Sequence, residues 1–259
     1  MPSALVRKLS GWTPLTESDC WALQALPGPV RSLARGEHPL AGVDRAECTL
    51  LMLEGWAAEY KDMPNGRRIT VEYLLPGDTR LASAYRDRSL DMAMLSPGIV
   101  QLVPNEAIEA LRESEAIRQA LEWTESVRVA THTEWLANIG AHKAYPRLAH
   151  LLCELATRMN AIGMLDANIC EMPLTQVDLA AGLAMSNVHL NLALQRLRAA
   201  GVVEVSARRL TILKRAEIEA IADFDDSYLQ RWPTALPDRR VVNVLPPGQI
   251  ERRRAGPPP

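Results

Sequence analysis

The sequence has a single phenylalanine, few cysteines and no long hydrophobic run. With one Phe in 259 residues, the core must be built from aliphatic side chains and six Trp. No stretch reaches the roughly 18 consecutive apolar residues that a membrane-spanning helix needs. The N-terminal residues Met1–Lys8 contain no apolar signal core. We therefore expect no membrane association and a cytoplasmic location.

Residue clusters that carry metal or catalytic chemistry are also missing. Cys20, Cys48, Cys153 and Cys170 are scattered and form no CxxC pair, which argues against a disulfide framework or a zinc site. The five histidines are dispersed. No nucleophile–base set and no glycine-rich phosphate loop is recognisable. We expect a protein that is not an enzyme and has no metal or cofactor.

Composition is otherwise that of an ordinary globular protein. Hydrophobic residues make up 47% and charged residues 23% of a chain with net charge −2. The length is sufficient for two domains with cores of their own. One segment departs from the acidic average, because residues 174–215 hold six Lys and Arg against two acidic residues, a local balance of +4. A basic segment of this kind is typical of a nucleic-acid contact.

The segment 174–197 predicts two helices joined by a tight turn. Thr175 and Asp178 have the spacing of a capping box, and Ser186 is a suitable N-cap for the second helix. Apolar residues then recur at helical spacing in both halves. This pattern is that of a helix-turn-helix, whose second helix enters the major groove of DNA. An ordinary helical hairpin would show the same periodicity.

The residues that follow favour the DNA-binding interpretation. Val202–Val205 and Leu210–Leu213 predict two short strands, and Arg208 and Arg209 lie between them. Such a hairpin is a wing whose arginines can meet phosphate. The sequence from Leu174 to Leu213 resembles the winged helix-turn-helix of the Crp/Fnr family of bacterial transcription regulators.

The resemblance extends upstream into a segment of short apolar runs. These runs, at sandwich-like spacing, predict strands: Val30–Ala34, Cys48–Leu53, Trp56–Tyr60, Ile69–Leu75, Asp91–Leu95 and Ile99–Val103. Asn65-Gly66 predicts a hairpin turn. The motifs Arg35-Gly36-Glu37, Leu53-Glu54-Gly55-Trp56 and Leu75-Pro76-Gly77-Asp78 are similar to those of the family's β-roll sensor domain. Their glycines are expected at positive φ.

The resemblance implies a cyclic-nucleotide site only where a Gly-Glu pair and an arginine follow the Gly-Asp. Here the stretch 79–90 has neither a glycine nor a Gly-Glu pair. We therefore expect no cyclic nucleotide. Arg86 and Arg88 are weak candidates for an anionic effector, and two solvated loop arginines are the simpler interpretation.

A helical pattern runs from about Asn105 to Gly140. Its 3–4 spacing is traced by Ile117, Leu121, Thr124, Arg128, Thr131, Trp135 and Asn138. In the family this is the dimerisation helix, although its polar middle weakens the coiled-coil pattern. The alternative is a helix packed along its own β-domain. Gly140–Lys143 is the predicted hinge, and Pro146 suits the first turn of the next helix.

The resemblance assigns DNA contacts to specific residues. The candidates are Thr175, Gln176, Ser186, Asn187, Val188, His189, Asn191, Leu192, Gln195, Arg208 and Arg209. Amide side chains suit adenine edges, His189 suits guanine and Val188 a thymine methyl. Two positions depart from the family pattern: Ala184 replaces a turn glycine, and Leu192 replaces an arginine that typically contacts guanine.

The sequence thus predicts an α+β protein in four parts: a β-roll (jelly-roll-like) sensor domain with a helical N-terminus (1–104), a long dimerisation helix region (105–141), a winged helix-turn-helix (142–229) and a Pro/Arg-rich, disordered tail (230–259). The expected function is a homodimeric transcription regulator that reads a palindromic site under sensor control, with RNA polymerase as a candidate partner. The alternative is a dimeric sensor or interaction protein of this fold that has lost sequence-specific DNA binding.

Overall fold

The computed structural model describes residues 3–81, 90–206 and 208–230. Its N-terminal elements are α1 (Ala4–Ser10), α2 (Glu17–Gln24), β1 (Val30–Leu33), β2 (Cys48–Glu54), β3 (Ala57–Asp62), β4 (Arg68–Leu74), β5 (Thr79–Arg80), β6 (Asp91–Met94) and β7 (Gly98–Pro104). The central helices are α3 (Asn105–Leu111), α4 (Glu115–Ala141) and α5 (Ala144–Ala161). The C-terminal elements are β8 (Leu165–Asp166), β9 (Ile169–Glu171), α6 (Gln176–Gly182), α7 (Asn187–Ala199), β10 (Val203–Ser206), β11 (Arg209–Ile212), α8 (Arg215–Ala222) and a 3₁₀ turn at Asp226–Leu229.

The N-terminal strands form two antiparallel sheets, in the orders β1-β7-β2-β5 and β4-β3-β6. Apolar side chains from both sheets share one core, including Leu50 and Val100 from the first sheet and Leu74 and Met94 from the second. This is the predicted β-roll, and all six predicted strand segments contain strands.

Tight corners in the roll require glycine. Gly55 has φ +77° and Gly77 has φ +84°, in the left-handed region. At both positions a Cβ atom would approach backbone atoms within 3 Å, so that larger residues are excluded by space as well as by conformation. The prediction of positive φ is confirmed, including Gly36 at +88°.

The predicted continuous helix from Asn105 is wrong in one respect. It is interrupted at residues 112–114, where Ser114 adopts an extended conformation and its hydroxyl accepts from the Ile117 amide as the N-cap of α4. The break allows the short α3 to pack on the roll while α4 leaves in its own direction. The predicted hinge is also too early, because α4 continues through Gly140 and only His142 and Lys143 separate it from α5.

The 3–4 stripe traced along α4 faces the interior of the same chain. Ile117 and Leu121 pack with α1 and α2, and Trp135 packs with α5 and the β4 side of the roll. Thr124, Thr131 and Asn138 are buried as well. The residues expected to form a dimer seam therefore attach α4 to its own β-roll, which was the alternative interpretation of this pattern.

A buried carboxylate joins α4, α5 and the C-terminal 3₁₀ turn. Glu154 of α5 accepts hydrogen bonds from Trp135 Nε1 at 2.8 Å and from the Tyr228 hydroxyl at 3.0 Å. Arg158 lies one turn along at 3.4 Å. Burial raises the pKa of Glu154, and Arg158 and the two donors offset only part of that rise. Because the donors come from three elements, this network fixes α5 against the long helix.

Candidate nucleic-acid interface

The two helices of the predicted helix-turn-helix, α6 and α7, which we call the reader, form from local capping chemistry. Thr175 accepts from the Asp178 amide while the Asp178 carboxylate accepts from the Thr175 amide at 2.7 Å, completing the capping box of α6. Ser186 caps α7 by accepting from the His189 amide. The helices meet at 103°, within the range of roughly 90–120° typical of helix-turn-helix pairs.

The turn between these helices holds Ala184 at φ +51°. The expected departure from glycine therefore falls on a left-handed backbone position. Alanine there costs about 1 kcal/mol relative to glycine. Leu183 and Leu190 on either side are buried, and their packing holds the turn in this conformation.

The outer face of α7 is open to solvent. Leu190, Ala193, Leu194 and Leu197 are buried on the inner face. The predicted contact residues are exposed, except for Asn191, which is half-buried: Ser186, Asn187, Val188, His189, Asn191, Leu192 and Gln195. The structure brings these seven residues onto one surface. A single helix face with three amide side chains has the groups that base-edge recognition in a major groove needs.

Two apolar side chains interrupt this polar face. Val188 is 67% exposed and Leu192 is 54% exposed. They lie four residues apart, one turn along the helix, and form a small apolar patch. Val188 can meet a thymine methyl group, but Leu192 offers none of the donors that an arginine would present to guanine.

The wing is an antiparallel pair of β10 and β11, with Val203 opposite Ile212 and Ser206 opposite Arg209. β11 also pairs with β9, so the wing is the edge of a four-stranded sheet β10-β11-β9-β8. β8 was not predicted from the sequence. Arg208, at φ +64°, and Arg209 are exposed at the turn. Among the described residues, neither forms an ion pair, which leaves both guanidinium groups available to an anion.

Other basic residues of this region have structural roles. Arg198 donates to the Val205 carbonyl and ties α7 to the wing. Arg196 lies over the Tyr145 ring, with the guanidinium carbon 4.3 Å from the ring centroid. Arg215 donates to the Thr157 hydroxyl at 2.7 Å. Only part of the local charge of +4 is therefore free to contact a partner, and much of that part comes from the two wing arginines.

The first helix of the reader is attached to the β-roll. The Tyr73 hydroxyl of β4 donates to the Asp178 carbonyl at 2.7 Å, and Arg35 makes a two-pronged ion pair with the Asp178 carboxylate at 2.8 and 3.0 Å. A Cβ on Gly182 would collide with the Tyr73 phenol ring. The Thr175 hydroxyl is committed to the capping box, whereas Gln176 beside it is exposed.

Sequence reasoning missed a basic cleft beside the start of α7. Arg67, from the β3–β4 hairpin, and Lys143, before α5, line it together with Arg147, Ser186 and His189. Arg147 donates to carbonyls at Leu183, Ile139 and His142 and so connects the end of α4 to the reader. Arg67 could not be found from local pattern, because it is 119 residues from Ser186 in the chain. Lys143 was noted only as part of the hinge.

The remaining sequence candidates lie elsewhere. Arg86 and Arg88 are outside the described residues. Within the described part of the chain, no three His, Cys, Asp or Glu side chains are arranged to hold a metal ion. Burial raises the pKa of Cys153 to about 12 and that of Cys170 to about 11, so neither thiol is reactive at neutral pH. Across residues 3–81, 90–206 and 208–230, no single helix is long and apolar enough to cross a membrane.

Comparison with protein families matches a Crp-like helix-turn-helix model to residues 146–221, the segment from the start of α5 to near the end of α8. Residues 146–221 are a Crp-like helix-turn-helix domain. This match contains α6, the turn, α7 and the wing. The β-roll and the long helix precede this domain in the chain. No curated protein matches the chain.

Solved structures share this architecture at low sequence identity. FixK2 from Bradyrhizobium japonicum superposes with TM-score 0.64 at 20% identity, covering 76% of this chain and 98% of FixK2. A CooA mutant from Carboxydothermus hydrogenoformans gives 0.60 at 14% identity, over 75% of this chain and 88% of its own. A CRP-family transcriptional regulator from Thermus thermophilus gives 0.54 at 21% identity, over 75% and 97%. The Crp/Fnr fold therefore extends over both halves of the molecule.

Proposed function

We propose that this protein is a transcription regulator that binds a palindromic DNA site as a homodimer, under the control of its N-terminal β-roll. The observation that carries the proposal is the capped α7, which presents Asn187, Asn191 and Gln195 on an open face of a Crp-like helix-turn-helix domain. In this assignment the amides read adenine edges, and Ser186, Arg208 and Arg209 contact phosphates. The proposed setting is the cytoplasm, RNA polymerase is a candidate partner, and catalysis is not part of the role.

Support for the dimer comes from the outer face of α4. Seven exposed residues follow a 3–4 spacing over three heptads: Gln119, Glu122, Ser126, Val129, Thr133, Leu136 and Gly140. We call this set the open stripe. Val129 and Leu136 are large apolar side chains on it, and the remaining positions are small or polar. Two copies of this stripe could pack as a short antiparallel or parallel coiled coil about a twofold axis.

We propose no cyclic nucleotide as the effector, and the ion pairs inside the β-roll support this choice. Arg80 is almost fully buried and pairs with Glu59 at 2.5 Å and with Glu72. His132 of α4 approaches Glu72 at 3.3 Å. The chain's own carboxylates thus already compensate the positive charge of this arginine, and a phosphate would have to compete with them for it.

Selection of genomic fragments on the purified full-length protein, followed by salt-titrated fluorescence anisotropy, tests the DNA assignment. We expect a palindromic motif bound at least about 10³-fold more tightly than random DNA. Gln195→Ala should lose about 10-fold or more on the selected site and little on random DNA, because it removes a base-edge contact. Arg209→Ala should weaken binding to the selected site and to random DNA to a similar degree, and it should reduce the dependence of the affinity on salt concentration. Gln24→Ala, an exposed change on α2, is the matched control.

The exposed pair Val188 and Leu192 favours one second candidate. A helix that presents an apolar patch suits a protein partner as well as a DNA groove. Weak binding that disappears with salt, with no motif and no effect of Gln195→Ala, would replace the first proposal by a dimeric interaction protein of this fold. Leu192→Arg then serves as a further test. It supplies a guanine-reading side chain, which should raise the affinity for DNA only if α7 binds the major groove.

A further inference from the structure

A cavity of about 280 Å³ lies where the β-roll, the long helix and the Crp-like domain meet. Four walls come from α1 and the residues just after it, from the corner between β4 and β5, from α4 and from the C-terminal end of α5, and Leu229 and Gln230 complete the lining. It is separate from the reading face of α7 and from the wing. Nothing in the proposed DNA-binding role uses it.

Most of the lining is apolar. Trp12, Pro76, Val127 and Ile162 are representative, one from each of the four walls. Three of the threonine hydroxyls that line the cavity have partners already: Thr124 and Thr131 donate to carbonyls within α4, and Thr157 accepts from Arg215. An apolar body is therefore the main requirement for a molecule that fits here.

Two polar groups of the lining, on Trp12 and Lys8, are donors that remain available. The Trp12 indole N–H is buried and has no hydrogen-bond partner among the described residues. Lys8, four residues earlier, uses one of its three N–H groups on Asp78. A buried donor without a partner is costly, and a bound acceptor would remove that cost. Both groups lie on the same wall of the cavity, since Lys8 belongs to α1 and Trp12 follows two residues after its end.

The acidic residues in the lining are already neutralised. Asp78 is held by Lys8, by Arg158 at 2.9 Å and by the Leu75 amide at 2.7 Å. These groups outweigh the effect of burial and lower the pKa of the Asp78 carboxyl. Glu72 is paired with Arg80 and His132. A further negative charge therefore meets cations and free donors rather than an unpaired carboxylate.

We propose that this cavity binds a small monocarboxylate with an apolar body. The carboxylate accepts hydrogen bonds from Trp12 Nε1 and Lys8 Nζ, and the apolar body occupies the space between Pro76, Val127 and Ile162. The size of the cavity, close to the lower end for small-molecule sites, limits the ligand to roughly 10 to 15 heavy atoms. This inference concerns binding alone, and it holds or fails independently of DNA recognition.

Isothermal titration of the full-length protein with octanoate and 1-naphthoate tests the proposal, with 1-octanol and 1-naphthalenemethanol as neutral counterparts. We expect one molecule of at least one carboxylate per chain, bound 10-fold or more tightly than its alcohol. Trp12→Phe keeps the ring but removes the N–H, and Lys8→Met keeps the stem but removes the charge. Each should weaken the carboxylate about 10-fold and leave the alcohol unchanged.

Matched controls separate the cavity from the surface. Trp21→Phe and Lys61→Met make the same changes at exposed positions and should not alter binding. Val127→Trp fills the cavity and should abolish binding. If the tryptophan prevents folding, Ala161→Met is the cavity-filling variant to use instead. No binding of either carboxylate, equal binding of acid and alcohol, or binding that survives both Trp12→Phe and the cavity-filling variant would overturn the proposal.

Discussion

The two faces of α4 differ in what they contact, and on each face the polarity of several residues is the opposite of what their burial would suggest. The inner face carries Thr124, Thr131 and Asn138, yet it is buried against the chain's own β-roll and α5. The outer face carries Val129 and Leu136, yet both side chains are exposed. Adjacent residues make the contrast clear, since Trp135 is 8% exposed and Leu136 is 74% exposed. Polarity alone therefore does not tell which face of a long helix serves its own domain.

The largest expected effect is on the inner face. Trp135→Ala removes a ring that packs edge-on against Tyr73, with centroids 5.6 Å apart, and removes one of the hydrogen-bond donors to buried Glu154. We expect a loss of about 3–5 kcal/mol in the free energy of unfolding, measured by urea denaturation. Trp21→Ala, the same change at an exposed site on α2, should cost less than about 0.5 kcal/mol. Similar losses in the two variants would contradict the assignment of the buried face.

The next effect is on the open stripe. Val129→Glu combined with Leu136→Glu places like charges along the proposed seam of two copies. We expect the dimer dissociation constant to rise at least about 100-fold, corresponding to about 2.8 kcal/mol, with little change in the unfolding of the single chain. Sedimentation velocity over a range of concentrations measures this. Met63→Glu, at an exposed apolar residue of the β3–β4 hairpin, should leave the association state unchanged. A dimer that persists in the double variant would remove α4 from the interface.

Two buried carboxylates contact the inner face with opposite responses to pH. Burial alone would raise the pKa of Glu72, but Arg80, His132 and Arg158 lower it to about 2. Its stabilising contribution is therefore present above about pH 4.5 and is lost as the pH falls toward 2. Burial raises the pKa of Glu154, so that its contribution is present at low pH and is lost as the pH rises through the raised value.

Substitution of each carboxylate by glutamine separates the two dependences of stability on pH. Glu72→Gln should reduce stability at neutral pH and weaken its dependence on pH between about 4.5 and 2. Glu154→Gln, which keeps an acceptor for Trp135, should gain stability relative to the unsubstituted protein as the pH rises. Urea midpoints measured from pH 2.5 to 8 report both. Parallel pH profiles for the two variants would contradict the opposite signs.

The smallest expected effect compares two threonines two residues apart. Thr133→Val on the open stripe replaces a hydroxyl, which donates to the Val129 carbonyl within the helix, with a methyl group at a seam position, and should tighten the dimer by a few-fold. Thr131→Val on the inner face removes a hydroxyl that donates to the Val127 carbonyl, and should leave association unchanged. Sedimentation equilibrium of both variants resolves a difference of this size. Tightening by Thr131→Val instead would reverse the assignment of the two faces.

The sequence predicted well those features that short segments determine. The capping box of α6 and the Ser186 cap of α7 depend on residues within three or four positions of one another. The strands of the β-roll follow from apolar runs bounded by glycine and proline. The exposed face of α7 follows from its helical periodicity, because Leu190, Leu194 and Leu197 are apolar and buried.

Features that depend on distant pairs were not predicted. Arg35 and Asp178 are 143 residues apart in sequence, and no local pattern marks Arg35 as a partner of the reader. The sequence left open whether the 3–4 stripe of α4 meets a second copy or its own β-roll, because it does not show that Thr124 and Thr131 satisfy their hydroxyls within the helix and so can be buried at little cost. The break at Ser114 was missed because a serine within a helical pattern does not by itself show that a new helix begins.

The close approach of Gly182 to Tyr73 also constrains how this protein can change during evolution. A methyl group at position 182 cannot coexist with a phenol ring at position 73 in this arrangement. Relatives that dock the reader on the sheet in the same way should pair glycine at 182 with a large aromatic residue at 73. Those with alanine or a larger residue at 182 should carry a smaller residue at 73. Covariation between these two positions would thus reveal, from sequences alone, which relatives hold the first reader helix against the β-roll.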